Sequence, residues 1–185
     1  MADPRASLAE YRALPLSRRQ ALVRLCRGAG VAAPVIGLLE GALPALAQGD
    51  GTDLSVLYAS LALEHQALWI YDHGLKRNLF PAGLRSYAVE FRGDHEGHRD
   101  TQAAIARERG GRPPEALASY RFGRLESGDD LIRQASVIER AAQDAYLALI
   151  SQIRTKDYLL SAGFILIDEV RHLTVWRRVL GLSIW

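Results

Sequence analysis

From residue 53 onward, hydrophobic positions recur every three or four residues, and no segment shows the alternating pattern of a β-strand. That period is typical of amphipathic α-helices. It predicts four long helices, over about residues 53–76, 81–110, 129–154 and 158–181. Helices of this length, joined by a short, a long and another short connection, favour a four-helix bundle with one long crossover connection. The expected fold class is therefore all-α.

The long connection, about residues 111–128, separates the second predicted helix from the third and contains Pro113-Pro114. Extended chain covers ~3.3 Å per residue, so a segment of this length can run from one end of such a helix to the other. We therefore expect the first and second helices to form one hairpin, and the third and fourth helices to form another.

The apolar stripe of each predicted helix is interrupted near its middle by ionisable residues. Steps of three and four residues place these side chains on the same face as the apolar positions. The set is Glu64, His95, His98, Glu139, Glu169 and His172. Moving an unpaired charge out of water costs several kcal/mol, whereas a pair of divalent metal ions would compensate the carboxylates and accept the imidazoles as ligands. The pattern therefore predicts a metal centre inside the bundle.

Four short motifs carry these residues: Leu63-Glu64-His65, Asp94-His95-Glu96-Gly97-His98, Glu139 with Tyr146, and Asp168-Glu169-Val170-Arg171-His172. With them, about residues 53–181 resemble the ferritin-like di-iron carboxylate superfamily, particularly its small bacterial ferritin-like domain proteins. The resemblance implies two iron ions, held by one Glu on each of two helices and by Glu-x-x-His on each of the other two. Matched by position, it implicates Glu64, His98, Glu139, Glu169 and His172 as ligands.

The second helix departs from that pattern, because His95 stands three residues before His98, where the family has Glu. Three carboxylates and three imidazoles would leave two divalent metals with a net positive charge, which is less suited to an oxidised diferric form. Several outcomes stay open: a differently tuned pair, a single metal, or Glu90 or Glu96 in the place of His95. Zinc or manganese in the place of iron is a further alternative.

Three neighbouring residues are candidates for supporting roles. His65, next to Glu64, is an alternative ligand. Tyr71 and Tyr146 each lie seven residues beyond a proposed ligand. We interpret both tyrosines as ordinary core aromatics, with hydrogen bonding to ligand carboxylates as the alternative.

A di-iron centre implies redox chemistry, in which bound iron(II) would react with oxygen or peroxide. Cys26 is the only cysteine and precedes the predicted bundle, which argues against a rubredoxin-like centre, so an external reductant would be required. The sequence leaves open whether the protein is an enzyme; if it is, a di-iron oxidase or ferroxidase-like oxidoreductase is expected.

The alternative function is that of a structural or stress-related subunit of an envelope complex with a weak, vestigial or zinc-occupied site. Without a fifth helix, a monomer or dimer is expected rather than a cage.

The first 47 residues contain six Arg against three acidic residues, while the remainder of the chain is balanced in charge. Arg18-Arg19, an apolar segment at 28–39 and Ala45-Leu46-Ala47 are typical of an export signal of the twin-arginine type. They predict a periplasmic protein with an export signal or N-terminal extension at 1–47 and the bundle at 48–185. The alternatives are a soluble extension on a cytoplasmic protein and an uncleaved segment in contact with the membrane. No basic stripe with interleaved aromatics occurs, so nucleic-acid binding is not expected.

Overall fold

The computed structural model describes residues 53–150 and 153–184, and four α-helices make up most of this part of the chain. They are α1 (Asp53–Lys76), α2 (Arg85–Glu108), α3 (Gly128–Ile150) and α4 (Lys156–Val179). The described residues contain no β-strand. The prediction of an all-α bundle with one long connection, between α2 and α3, is confirmed.

The helices pack as two hairpins, α1 against α2 and α3 against α4. Packing of α1 against α3 joins the hairpins, whereas α2 and α4 touch each other sparingly. The pairing follows the order of short and long connections, as the sequence predicts. The side between α2 and α4 is the least closely packed side of the bundle.

Two hydrophobic clusters fill the bundle. One is built around Tyr71, Phe91 and Trp176, and the other around Leu57 and Tyr158. Along α1, α2 and α4, the buried ionisable side chains lie between the segments that contribute to the two clusters. Burial of apolar surface stabilises a fold by ~25 cal/mol per Å², so these clusters hold the helices in register around a polar middle.

The ends of α2 show how local chemistry sets a helix boundary. Pro81 is extended, and Ala82–Leu84 form a 3-10 turn in which the Leu84 N–H donates to the Pro81 carbonyl over 2.8 Å. The α-helix therefore begins at Arg85, later than the predicted start at Pro81. At the other end Gly110 has a φ of 75°, a conformation that glycine adopts without steric strain and that commonly ends helices.

Within the described residues, no helix combines the length and apolarity needed to cross a bilayer. The predicted export signal at 1–47 and its boundary with the bundle lie outside the described residues. Both stay predictions.

Candidate metal centre

The six ionisable residues predicted as ligands meet in the middle of the bundle. Five of them are at most 1% exposed, and His98 is 8% exposed. All four helices contribute: Glu64 from α1, His95 and His98 from α2, Glu139 from α3, and Glu169 and His172 from α4. They converge because each occupies the inward stripe of its helix. The structure brings the whole predicted set together, while the role of its members as ligands stays a prediction.

These side chains form two groups of four, and within each group the candidate ligand atoms lie within 4.8 Å of one another. The first group is Glu64, His95, His98 and Glu169, and the second is His95, Glu139, Glu169 and His172. His95 and Glu169 belong to both groups. The arrangement therefore offers two adjacent metal positions with two residues shared between them.

Each unshared glutamate accepts a hydrogen bond from a tyrosine of the other hairpin. Tyr146 Oη donates to Glu64 Oε1 over 2.5 Å, and Tyr71 Oη donates to Glu139 Oε1. The interpretation of both tyrosines as ordinary core aromatics is wrong, because their phenols also orient the two carboxylates. The alternative, hydrogen bonding to candidate ligands, is the observed arrangement.

Further buried donors hold the two phenols in place. Gln102 Nε2 donates to Tyr146 Oη over 2.5 Å, and the Ser60 hydroxyl donates to the Gln102 carbonyl. Trp176 Nε1 donates to Tyr71 Oη over 2.7 Å. Burial and the neighbouring glutamates raise the pKa of both tyrosines well above 10, so the phenols keep their protons and act as donors.

Two aspartates contact the outer ring nitrogens of two candidate ligands. Asp168 Oδ2 lies 3.3 Å from His98 Nε2, and Asp94 Oδ2 lies 3.0 Å from His172 Nε2. A carboxylate that accepts a hydrogen bond from Nε2–H fixes the tautomer in which Nδ1 carries the free electron pair. In both histidines Nδ1 faces the buried glutamates, at 3.3–3.6 Å. Each imidazole is therefore oriented with its ligating nitrogen inward.

Sequence reasoning assigned no role to Asp94 and Asp168, although both lie in the recognised motifs. A signal was present, because each aspartate stands four residues before a candidate ligand, His98 or His172. The spacing alone could not show that each aspartate pairs with the histidine of the other helix.

The pKa values of the two unshared glutamates lie below their usual range. Burial would raise the pKa of Glu64, but its hydrogen bond with His95 and the proximity of His98 outweigh this effect and lower the pKa to about 2. Burial would also raise the pKa of Glu139, but its electrostatic interactions and hydrogen bonds with His95 and His172 outweigh this effect and hold the pKa well below its usual range.

The pKa values of the two shared residues lie above their usual ranges. Burial would lower the pKa of His95, but the charges of Glu169 and Glu139 raise it well above 6.5. Burial raises the pKa of Glu169 well above 4.5; the charge of His95 opposes this shift, while Glu139 and Glu64 reinforce it. In both residues the negative charge of neighbouring glutamates raises the pKa, and a bound metal pair would compensate that charge.

Three buried polar atoms of the first group have no hydrogen-bond partner within the described part of the chain: His98 Nδ1 and the two carboxylate oxygens of Glu169. An unpaired buried polar atom costs ~1–3 kcal/mol, and most such atoms in folded proteins are satisfied. A divalent ion bound in the group would take these atoms as ligands. Carboxylate oxygens and imidazole nitrogens are also a ligand set that suits iron, manganese and zinc. The residues present therefore fit a bound metal.

The other acidic and imidazole candidates lie outside the centre. Glu90 and Glu96, considered as substitutes for His95, form ion pairs with arginines on the outer part of the bundle, at 3.0 and 2.5 Å. His65, considered in the place of Glu64, has its Nε2 3.1 Å from a backbone oxygen of the long connection. None of these three belongs to either ligand group among the described residues. The structure therefore does not support Glu90 or Glu96 as a ligand in the place of His95, or His65 in the place of Glu64.

Arg171 connects α4 to α2 beside the centre. Its guanidinium contacts Asp94 at 2.5 Å, Asp168 at 3.4 Å and Glu90 at 3.0 Å. The side chain of Arg171 is 45% exposed, and those of Asp94 and Asp168 are 29% and 34% exposed, so this cluster lies at the surface of the bundle. This cluster bridges the two helices that otherwise touch sparingly.

Four helices around a buried cluster of carboxylates and imidazoles are the architecture of ferritin-like bundles, and His95 is the one departure from their usual ligand pattern. The family model for the ferritin-like domain matches residues 52–182, and the chain belongs to this family. The resemblance inferred from the motifs is confirmed, and the buried cluster is compatible with the metal binding of that class.

The solved structures that are similar to this chain include two with the following identity and coverage. A conserved hypothetical protein from Mycobacterium tuberculosis is 28% identical, with a TM-score of 0.64 over 70% of this chain and 90% of that one. A structure of ferritin-like, diiron-carboxylate proteins from Bacillus anthracis is 19% identical, with a TM-score of 0.59 over 81% of this chain and 99% of that one. At that identity the second similarity bears on the fold alone. None of the curated proteins compared with the chain matches it.

Proposed function

We propose that this protein binds two metal ions, iron in the first instance, and supports redox chemistry with oxygen or peroxide. The observation that carries the proposal is the set of unpartnered, buried ligand atoms in the first ligand group, on His98 and on Glu169, which the second group shares. Hydrophobic packing gives no reason to bury such atoms without partners. A bound divalent metal would explain their burial, because it would take these atoms as ligands.

The residues of the chain divide into those that would hold the metals and those that would position the holders. Glu64 with His98, and Glu139 with His172, would each hold one metal ion, and His95 and Glu169 are shared between the two groups. A bound iron pair would supply the electrons for reduction of oxygen or peroxide. The tyrosines and aspartates around the ligands keep the carboxylates and imidazoles oriented, and the hydrophobic clusters limit the access of water.

The partners follow from this chemistry. Oxygen or peroxide is the small-molecule partner, with iron(II) oxidation or the removal of oxygen or peroxide as the outcome. An external reductant is required for repeated turnover, because the bundle contains no cysteine for a rubredoxin-like centre. We propose a monomer or dimer in the periplasm, exported by the twin-arginine route, with the cytoplasm as the alternative location. Membrane contact is proposed only if the N-terminal segment is retained, and nucleic acid is not a proposed partner.

A second candidate function is a structural or stress-related subunit with a weak, vestigial or zinc-occupied site. The observation that favours it is His95, which contacts Glu64, Glu139 and Glu169 at 2.9–3.6 Å. A protonated imidazole there compensates the glutamates without a metal, and a third imidazole also suits zinc.

Elemental analysis of the purified full-length protein separates the two functions. We expect about two irons per chain in the wild type and a loss of iron in Glu169→Ala and in His172→Ala. Glu96→Ala, which removes an exposed carboxylate of α2, is the matched control and should keep its iron. Circular dichroism checks that each variant remains helical.

The other outcomes are equally informative. One zinc per chain, without iron, would favour the second function. A wild type that takes up no metal even after anaerobic loading with iron(II) would contradict metal binding altogether.

A further inference from the structure

The two ring nitrogens of His95 face different ligand groups. Nδ1 lies 2.9 Å from Glu64 Oε2, which belongs to the first group alone. Nε2 lies 3.4 Å from Glu139 Oε1, which belongs to the second group alone. The ring, which is 0% exposed, therefore stands between the two metal positions with one nitrogen directed to each.

The rest of the centre is chemically symmetric about this ring. Each metal position has one unshared glutamate that accepts from a tyrosine, and one unshared histidine that contacts an aspartate. The two shared residues are not equivalent, because α2 supplies the imidazole of His95 and α4 supplies the carboxylate of Glu169. An imidazole thus occupies the position that corresponds to a shared carboxylate.

We infer, on the basis of the proposed function, that His95 bridges the two metal ions, with Nδ1 bound to one and Nε2 bound to the other. An imidazole bound to two metals has lost both N–H protons, which pass to solvent, and carries one negative charge. Together with the carboxylates of Glu64, Glu139 and Glu169, it balances the charge of two divalent ions. The net positive charge that two divalent metals would keep with three carboxylates and three neutral imidazoles is therefore removed.

The bridge has a geometric consequence. Metal ions in two-metal sites commonly lie ~3.5–4 Å apart. An imidazole bridge holds them further apart, because its nitrogens lie on opposite sides of the ring and each metal–nitrogen bond is ~2.0–2.1 Å long. The ligand class is a well-separated pair of divalent ions that accept nitrogen ligands, such as zinc, copper or iron(II).

Crystal structures of the full-length protein loaded with zinc alone, recorded at the zinc absorption edge, test the bridge directly. In the wild type we expect two zinc ions, each bonded to a different nitrogen of His95 and separated by more than ~4 Å. His95→Glu should shorten the separation to ~3.5–4 Å. His95→Gln, whose amide cannot offer two nitrogens, should bind one zinc instead of two. His65→Gln, the same change outside the centre, should keep both ions.

Each other result has a defined meaning. Two zinc ions of which only one contacts His95, or an unchanged pair in His95→Gln, would overturn the bridge and leave the proposed metal binding intact. A single zinc in the wild type would also overturn the bridge. Failure of the wild type to bind either zinc or iron(II) would contradict the proposed function itself. The wild-type structure decides the question even if a His95 variant does not fold.

Discussion

At the scale of single residues, the candidate ligands are positioned by side chains that do not themselves belong to the ligand groups. Tyr146 and Tyr71 direct one oxygen of each unshared glutamate. Asp168 and Asp94 direct the histidines. Such partners tune a metal site through hydrogen bonds to its ligands, and their removal commonly weakens metal binding.

Replacement of Asp168 tests whether these partners orient the histidines for metal binding. Asp168→Asn should weaken the affinity for iron(II) or zinc about 10–100-fold, because an amide oxygen accepts less strongly from His98 Nε2–H and no longer favours the tautomer with a free Nδ1. A competition titration against a chromophoric chelator measures the change. Asp100→Asn, on the exposed face of α2, should leave the affinity unchanged. Equal affinities in the wild type and Asp168→Asn would show that Asp168 has no part in metal binding.

At the scale of helices, the two hairpins repeat one arrangement. In α1 and α3 a glutamate is followed seven residues later by the tyrosine that serves the other hairpin. In α2 and α4 an aspartate is followed four residues later by a histidine. The repeat consists of few positions, which is why overall sequence similarity between the halves does not show it.

The beginning of α1 also holds the connection between α3 and α4. Asp53 accepts hydrogen bonds from the backbone N–H groups of Arg154 and Thr155, both at 3.0 Å, from Thr155 Oγ1 at 2.6 Å and from Arg109 Nη1 at 2.8 Å. Burial would raise the pKa of Asp53, but these hydrogen bonds lower it from 3.8 to about 2. The aspartate therefore ties together three parts of the chain that lie far apart in sequence.

Asp53→Ala should lower the free energy of unfolding by about 2 kcal/mol at neutral pH, since a pKa depressed by nearly two units corresponds to roughly that energy. A depressed pKa gives stability that is fully present above the unfolded pKa. The difference between wild type and variant should therefore shrink as pH falls from about 4 to about 2. Urea unfolding across this pH range measures it. Asp129→Ala, an exposed acid in the first turn of α3, should cost under about 1 kcal/mol; an equal cost at both positions would contradict the role given to Asp53.

At the scale of the whole molecule, the proposed export route connects the N-terminal segment to the metal centre. A twin-arginine signal exports proteins that have already folded, often around a cofactor, which suits a centre that is buried between four helices. Replacement of both Arg18 and Arg19 by Lys should keep the protein in the cytoplasm, as measured by cell fractionation. The matched control, with Arg24 and Arg27 replaced by Lys, should be exported. A cytoplasmic wild type, or export of the Arg18/Arg19 variant, would rule out this route.

The candidate ligands of the centre could be predicted from the sequence, one residue at a time. Glu64, Glu139 and His172 interrupt apolar stripes, and a buried polar or charged group on the inward face of a helix needs a partner wherever the helix packs. The partners of these residues could not be predicted. Tyr71 and Asp94 act on side chains of other helices, and such contacts depend on how far each helix is rotated and shifted along its axis.

The sequence by itself determined the four helices, their pairing into hairpins and the set of buried ionisable residues, because hydrophobic periodicity and connection length are local properties of the chain. Only the tertiary structure decided how that set divides into two groups, that His95 and Glu169 are shared between them, and which tyrosine or aspartate serves which ligand. These features arise from distances between side chains on different helices, and the packing of the helices sets those distances.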